Sequence, residues 1–288
     1  MTVTVAVLGV ALAAAAVVFL LSALRTLPDP IDVTGQERAL VGWLTRRPRL
    51  RRFVRERLDR RTAGGLALTV ALLALFVVAL ITGLVLDMID RAAGLASLDD
   101  DVAVWGAAHA DSGAVRLFLV LTGLGDTVVV VAALVVTGLV DYLGHRRVDV
   151  LVFLGVVIVG DKLVVNGLKE IVDRARPEVL QLVGWEGPSF PSGHAAAAAA
   201  VWPAVALVLT RGRRRIVRAG AAAGAALIAF AVAASRAVLG VHWLTDVVTG
   251  LVIGYGWFVV CAVLFGGRAQ RLGDPASRSP LGVGPSGS

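Results

Sequence analysis

Three short stretches of the sequence carry residue types suited to handling a phosphate: KEIVDRARP (Lys169–Pro177), PSGH (Pro191–His194) and SRAVLGVHWLTD (Ser235–Asp246). Lys169 and Arg176 stand seven residues apart, two helical turns, so both can line one groove. The arginine brings a planar fork for phosphate oxygens and the lysine a compact charge. Pro177 disfavours helix at Arg176 and ends the segment there. In the second stretch Pro191 turns the chain and Ser192 is a candidate helix N-cap. The amides of Gly193 and His194 then fall in a first turn, where unpaired N–H groups and the helix dipole favour an anion. In the third stretch Arg236 adds a fixed charge, and His242 and Asp246 stand at i and i+4. That spacing lets the carboxylate reach one imidazole nitrogen, fix the tautomer and leave the other nitrogen to attack. A nucleophile, an acid and an anion hole are all represented.

Each of these residues alone has a plainer reading. Ser192 would be an ordinary helix cap, His242 an interfacial histidine packed beside Trp243, and Lys169, Arg176 and Arg236 snorkelling charges at helix ends. Their concentration in three stretches outweighs those readings, provided that the rest of the chain brings the stretches together.

The elements available for that are membrane helices. The 288 residues are 57% hydrophobic and 17% charged, with a mean hydropathy of +0.82, too apolar for an ordinary soluble domain. Apolar runs lie near 2–24, 65–87, 117–143, 150–168, 195–210, 219–239 and 243–266. Each approaches the roughly 20 residues that cross a ~30 Å hydrocarbon core as helix. Seven spans in an all-α polytopic bundle are therefore expected. The third run contains TGLGD (Thr122–Asp126), whose glycines can break it in two. The first run lacks the basic flank and cleavage site of a secretory signal and reads as a retained anchor. Cys261 excludes an intrachain disulfide and any cysteine-based metal site.

Arginines orient the bundle. With seven spans, 21 of the 26 arginines fall on one side, in 25–64, 144–149, 211–218 and the tail from 267. By the positive-inside rule that side is cytoplasmic, and all three stretches then lie at outer span ends. The segment Arg46–Arg61 places Leu50, Phe53, Val54 and Leu58 on one face and arginines over much of the rest. This is the pattern of a helix lying on an anionic leaflet, or of a merely solvated positive loop. The tail Gly273–Ser288 is too rich in Gly, Pro and Ser for a packed element.

In order along the chain, K-x6-R-P, P-S-G-H and S-R-x5-H-x3-D match the three-part signature of the type 2 phosphatidic acid phosphatase superfamily, which this sequence resembles from about 117 to 266. The resemblance implies a six-helix phosphatase core in 65–266. An extra N-terminal transmembrane helix and arginine-rich cytoplasmic loop would precede it in 1–64, and a disordered tail would follow in 267–288. It further implies that His242 forms a phosphohistidine, oriented by Asp246, and that His194 protonates the leaving oxygen. Lys169, Arg176, Ser192, Gly193 and Arg236 would hold the phosphoryl oxygens. No cofactor and no metal is implied, the substrate would be a membrane lipid phosphate or diphosphate in the bilayer, and nucleic acid is no partner. A lipid phosphotransferase would use the same histidine. A transporter is the reading from a different class, motivated by Asp126, Asp161 and Lys162 inside predicted spans, against which stands the plain alternative that they pair within the bundle or sit at a helix break.

Overall fold

In hydrocarbon every backbone amide must find its partner inside its own segment, so long apolar runs become helices. The structure, a computed structural model, describes residues 2–23, 63–179, 184 and 187–269, and among these it is all-α. The helices are α1 (Thr2–Ala23), α2 (Ala63–Asp90), α3 (Asp99–His109), α4 (Ser112–Gly123), α5 (Thr127–His145), α6 (Val148–Val172), α7 (Gly193–Leu209), α8 (Arg215–Val238) and α9 (Leu244–Ala269). A 3₁₀ turn, Gly94–Leu98, leads into α3. Four helices are long and apolar enough to cross a membrane: α2 from Leu68, α5, α8, and α9 as far as Phe265. Exposed apolar side chains such as Phe76, Val128 and Leu163 stud α2, α5 and α6, a surface suited to lipid rather than water. The Arg46–Arg61 segment and the tail from 270 lie outside the described residues.

The third apolar run is two helices. Its path breaks at Leu124, Gly125 and Asp126, between α4 and α5. A side chain at Gly125 would bring a Cβ within 2.7 Å of Val232 Cγ1 and 2.9 Å of the His194 carbonyl, so only glycine lets the break press against the start of α7.

α7 forms the centre of the bundle, and its alanine run Ala195–Ala200 is buried throughout. Around it stand α5, α6, α8 and α9, while α1 packs along α8, where Arg215 Nε donates to the Ser22 carbonyl at 2.6 Å. The alanines let neighbouring backbones close in. Gly250 and Gly254 of α9 face α7; a Cβ at Gly250 would meet the Ser192 carbonyl at 2.6 Å, and one at Gly254 would collide with the Ala196 carbonyl. This is the small-xxx-small contact by which membrane helices pack without help from the hydrophobic effect. It joins the start of α7 to the first turns of α9, the two elements that carry PSGH and the His242–Asp246 pair.

Candidate active site

All three stretches converge at one end of the bundle. Lys169 occupies the last turn of α6, Arg176 the loop after it, Ser192 to His194 the start of α7, Arg236 the last turn of α8, and His242 the turn before α9. That turn passes through Gly240 at φ +72°, a left-handed position that suits glycine. Val165 of α6 lies against Gly193, with Cγ1 3.6 Å from the position a Cβ would take.

His242 is buried, with Nδ1 3.6 Å from Asp246 Oδ2 and Nε2 3.4 Å from Arg176 Nη1. The expected His–Asp pairing is therefore present at ion-pair range, although longer than a hydrogen bond. Its surroundings favour the tautomer with the proton on Nδ1, toward the carboxylate, and the Nε2 lone pair toward the guanidinium. Burial pushes the imidazole down to about 4, the nearby Asp246 opposes this, and the charges of Arg236 and Arg176 add to it. His242 is accordingly neutral at neutral pH, the form a nucleophile needs.

The cations and the helix start behave differently from one another. Arg176 is fastened by its own loop and by the turn before α9: Nε donates to Gly187 O at 2.9 Å, Nη2 to Pro188 O at 3.2 Å, and Nη1 to Val241 O at 2.6 Å. Burial lowers its guanidinium from the ordinary value, with Asp246 acting against the fall. Lys169 Nζ donates to the same Pro188 carbonyl at 2.6 Å. Arg236 reaches Thr122 Oγ1 at 3.3 Å through Nη1, while its Nε is buried without a partner. Ser192 holds the N-cap position of α7 in backbone, but its side chain makes no capping bond, contrary to the simple cap reading. Its Oγ too is buried without a partner. With His242 Nδ1, three buried donors of the cluster thus have no hydrogen-bond acceptor, where polar groups normally do.

His194, in the first turn of α7, pairs with Asp126, Nε2 to Oδ1 at 2.6 Å. Asp126 belongs to the α4–α5 break, so it is neither buried within a span nor left over. For this residue the helix-break alternative to the transporter reading holds.

Behind Asp246 is an arrangement that the sequence reading passed over. Arg174 Nη1 bonds Asp246 Oδ1 and Thr245 Oγ1, both at 2.7 Å, and Nη2 bonds Asp99 Oδ2 at 2.9 Å. Asp99, buried at the start of α3, also accepts from the Thr245 amide at 2.9 Å and from its hydroxyl at 2.7 Å. The guanidinium stacks over the Trp243 ring, 5.2 Å from its centroid, and the Trp243 amide donates to Asp246 Oδ2 at 3.0 Å. Finally the Ser192 amide donates to the Asp246 carbonyl at 3.1 Å, joining the anion-binding turn to the histidine–carboxylate pair. The available signal for Arg174 was its place between Lys169 and Arg176; for Asp99 the acidic run DDD offered no hint of which carboxylate turns inward. Among the described residues no group of three or more His, Cys, Asp or Glu side chains converges.

The fold and this cluster define an all-α membrane protein in which a buried histidine–carboxylate pair, three cations and a helix start are gathered at one end of the bundle. The family model described as the PAP2 superfamily matches residues 149–269, which include all three stretches. Phosphatidylglycerophosphatase B of Bacillus subtilis (strain 168) is 34% identical over 140 residues, spanning 46% of this chain and 66% of that protein, just under two thirds of its length. A crystal structure described as the first transmembrane PAP2 type phosphatidylglycerolphosphate phosphatase, from Bacillus subtilis, is 27% identical. It covers 69% of this chain and 96% of that one with a TM-score of 0.60. By these likenesses the chain resembles the PAP2, or type 2 phosphatidic acid phosphatase, superfamily, and within it the membrane phosphatases just named.

Proposed function

We propose that the protein removes the terminal phosphate of a membrane lipid through a phosphohistidine on His242, at the extracytoplasmic leaflet. The observation that carries this reading is the grouping, at one end of the bundle, of a buried neutral imidazole, Nε2 3.4 Å from Arg176 Nη1, with the buried and unspent donors Ser192 Oγ and Arg236 Nε. His242 Nε2 attacks phosphorus as the ester P–O bond breaks, and His194 gives its proton to the departing oxygen. His194 then takes a proton from water, whose oxygen attacks phosphorus. The P–N bond pair returns to Nε2 and inorganic phosphate leaves. Lys169, Arg176, Arg236, Ser192 and the Gly193 amide hold the phosphoryl oxygens as charge redistributes, and Asp246 stabilises the imidazole as it becomes cationic.

Phosphatidylglycerol phosphate leads the candidate substrates, because the curated relative and the solved structure both carry that activity in their names. Polyprenyl diphosphate and phosphatidate follow. A six-helix core in 65–266 with α1 added is the architecture this implies. The outward orientation rests on the arginine asymmetry of the sequence.

Phosphate release from a panel of lipid monophosphates and diphosphates, by purified protein in micelles, tests the activity; no release from any of them refutes it. Release that appears only with an added lipid alcohol would instead mark a phosphotransferase. For orientation, Cys261 is replaced by alanine and a cysteine placed at exposed Glu178 or Gly212. An impermeant thiol reagent should label position 178 in intact cells and spare 212, and the reverse pattern would turn the protein over.

A further inference from the structure

Two aspartates hold the N-cap position of consecutive helices, and only one of them caps. Asp111 precedes α4 with extended backbone, and its Oδ1 accepts from the Ala114 amide at 2.7 Å. Asp126 precedes α5 with similar backbone, φ −64° and ψ 141°, yet its side chain makes no capping bond. It reaches instead across 68 residues of sequence to His194 Nε2, at 2.6 Å. A capping aspartate stabilises a helix start at least as much as a solvent-exposed ion pair stabilises a fold, and the Asp126 side chain is 53% exposed. Stability therefore gives no reason for the exchange. The same stretch touches a second residue of the candidate site, where Thr122 Oγ1 accepts from Arg236 Nη1 at 3.3 Å.

In the reaction proposed above His194 first gives a proton and then takes one. Asp126 occupies Nε2, and among the described residues Nδ1 has no hydrogen-bond partner. An ionised carboxylate only accepts, so Nε2 carries a hydrogen whether the ring is neutral or cationic, and Nδ1 is the nitrogen left to exchange its proton. Burial and, after it, the charge of Arg236 push this imidazole down to about 4, while Asp126 opposes both through its hydrogen bond and its charge. An acid has to be protonated, and Asp126 favours that form. We propose that Asp126 is the positioning residue of the acid: it holds the Nε2–H of His194, so that Nδ1 delivers the proton to the leaving oxygen. This rests on the proposed phosphatase reaction and extends it to a residue outside the three stretches. As His242 Nε2 bonds to phosphorus, the P–O bond pair stays on the departing oxygen, which takes the Nδ1 proton. The ring is then neutral, its remaining hydrogen held by Asp126. Nδ1 next takes a proton from water as the water oxygen attacks phosphorus, the P–N bond pair returns to His242, and the imidazolium is restored. The carboxylate neither gains nor loses a proton; it fixes the tautomer and stabilises the cation at both ends of the cycle.

Asp126→Asn tests this with the helix start intact, since asparagine caps as well as aspartate. Full-length protein in micelles is measured on the lipid phosphate that the wild type turns over fastest, and on 4-nitrophenyl phosphate, whose leaving group departs without a proton. On the lipid, Asp126→Asn should lower kcat/KM by about tenfold or more, part of the ~10²–10⁴ that a positioned acid supplies. On the nitrophenyl ester kcat/KM, which reports only the steps up to departure of the leaving group, should stay within about threefold. The second arm uses the lipid alone. With His194→Ala in place, Asp126→Asn should cost less than about twofold more, because a residue that acts through His194 has nothing left to position. This arm decides by itself if the wild type does not take the nitrophenyl ester. Equal loss on both substrates, an undiminished loss in the His194→Ala background, or a lipid kcat/KM unchanged by Asp126→Asn overturns the assignment, while phosphate release by the wild type keeps the phosphatase reading. Absence of release from every lipid phosphate by the wild type overturns both.

Discussion

Arg174 lies outside the phosphate-facing cluster, yet the geometry makes it the support on which Asp246 depends. Its guanidinium is 16% exposed, and the two carboxylates that it bridges, Asp99 and Asp246, are 5% and 0% exposed as side chains. Removing one partner of such a buried pair costs ~3–5 kcal/mol, and the residual exposure of Arg174 places it at the lower end, ~3 kcal/mol. If all of that were lost from the transition state, the rate would fall roughly hundredfold. Part is retained, because the Trp243 amide still holds Asp246 Oδ2 and the Ser192 amide still holds its carbonyl. Arg174→Met should therefore lower kcat by about ten- to hundredfold, with KM changed less than about threefold, measured as phosphate release in micelles. The arrangement also predicts a rescue. Without Arg174, two buried carboxylates share one neighbourhood with no cation between them, and Asp99→Asn removes one of the charges. The double variant should be faster than Arg174→Met alone, although Asp99→Asn slows the wild-type protein. A fall confined to KM, a kcat within twofold of wild type, or a double variant slower than Arg174→Met would refute the argument.

His242→Ala and His194→Ala should each abolish most turnover, but only His194→Ala should trap phosphate covalently from a substrate with a good leaving group; label on His242→Ala protein would reverse the assignment. Burial holds both His242 and His194 at about 4, and the reaction needs the first unprotonated and the second protonated, so kcat/KM should rise as pH falls through 6 and turn down only on approach to 4. Loss of kcat/KM already near the ordinary histidine value, with His194→Ala leaving that limb in place, would contradict it. Activity should survive excess chelator and be inhibited by vanadate, which mimics the phosphoryl group in transfer; loss in EDTA restored by Mg²⁺ would contradict this mechanism. Gly254→Val, which forces a side chain into the Ala196 carbonyl, should lower the thermal midpoint in detergent by the equivalent of ~1–3 kcal/mol or more and reduce activity with it; an unchanged midpoint would show that the α7–α9 contact is looser than described.

Residues whose place follows from type and spacing were readable in the sequence. Lys169, Arg176, Ser192, Gly193, Arg236, His242 and Asp246 do meet at one end of the bundle, because helix ends separated by whole spans must lie on one side of a membrane. The apolar runs likewise gave the helices. What was not readable depends on three-dimensional pairing. Asp126 looked like a charge inside a span, and only the break between α4 and α5 turns it to His194. Asp99 was one of three consecutive aspartates, and packing of α3 alone selects it for Arg174. Gly250 and Gly254 had the four-residue spacing of a helix contact, but their partner could not be named until Ala195 and Ala196 were found against them. Ser192 shows the opposite case: the capping position was legible, and the side chain declines to cap.

The consequence of these pairings is a centre held from two independent sides. On one side the α7–α9 contact, the bond from Ser192 to Asp246 and the Arg174 strap tie the anion-binding turn, His242 and its carboxylate into one unit. On the other, His194 leans on Asp126 at the α4–α5 break, with Gly125 allowing the approach. Phosphoryl transfer needs the attacking and leaving atoms on opposite faces of phosphorus, so a nucleophile and an acid fixed by separate supports can each be placed without disturbing the other. The supports also differ in depth of burial. Asp246 is sealed, whereas Asp126 is 53% exposed as a side chain. On the proposed reaction His242, the nucleophile, is thus kept neutral and held fast, while His194, whose proton would be exchanged with the leaving group and then with water on every cycle, keeps a solvated partner. This asymmetry is what the proposed hydrolysis through a covalent intermediate requires: a sealed support for the attacking imidazole and an open one for the proton donor.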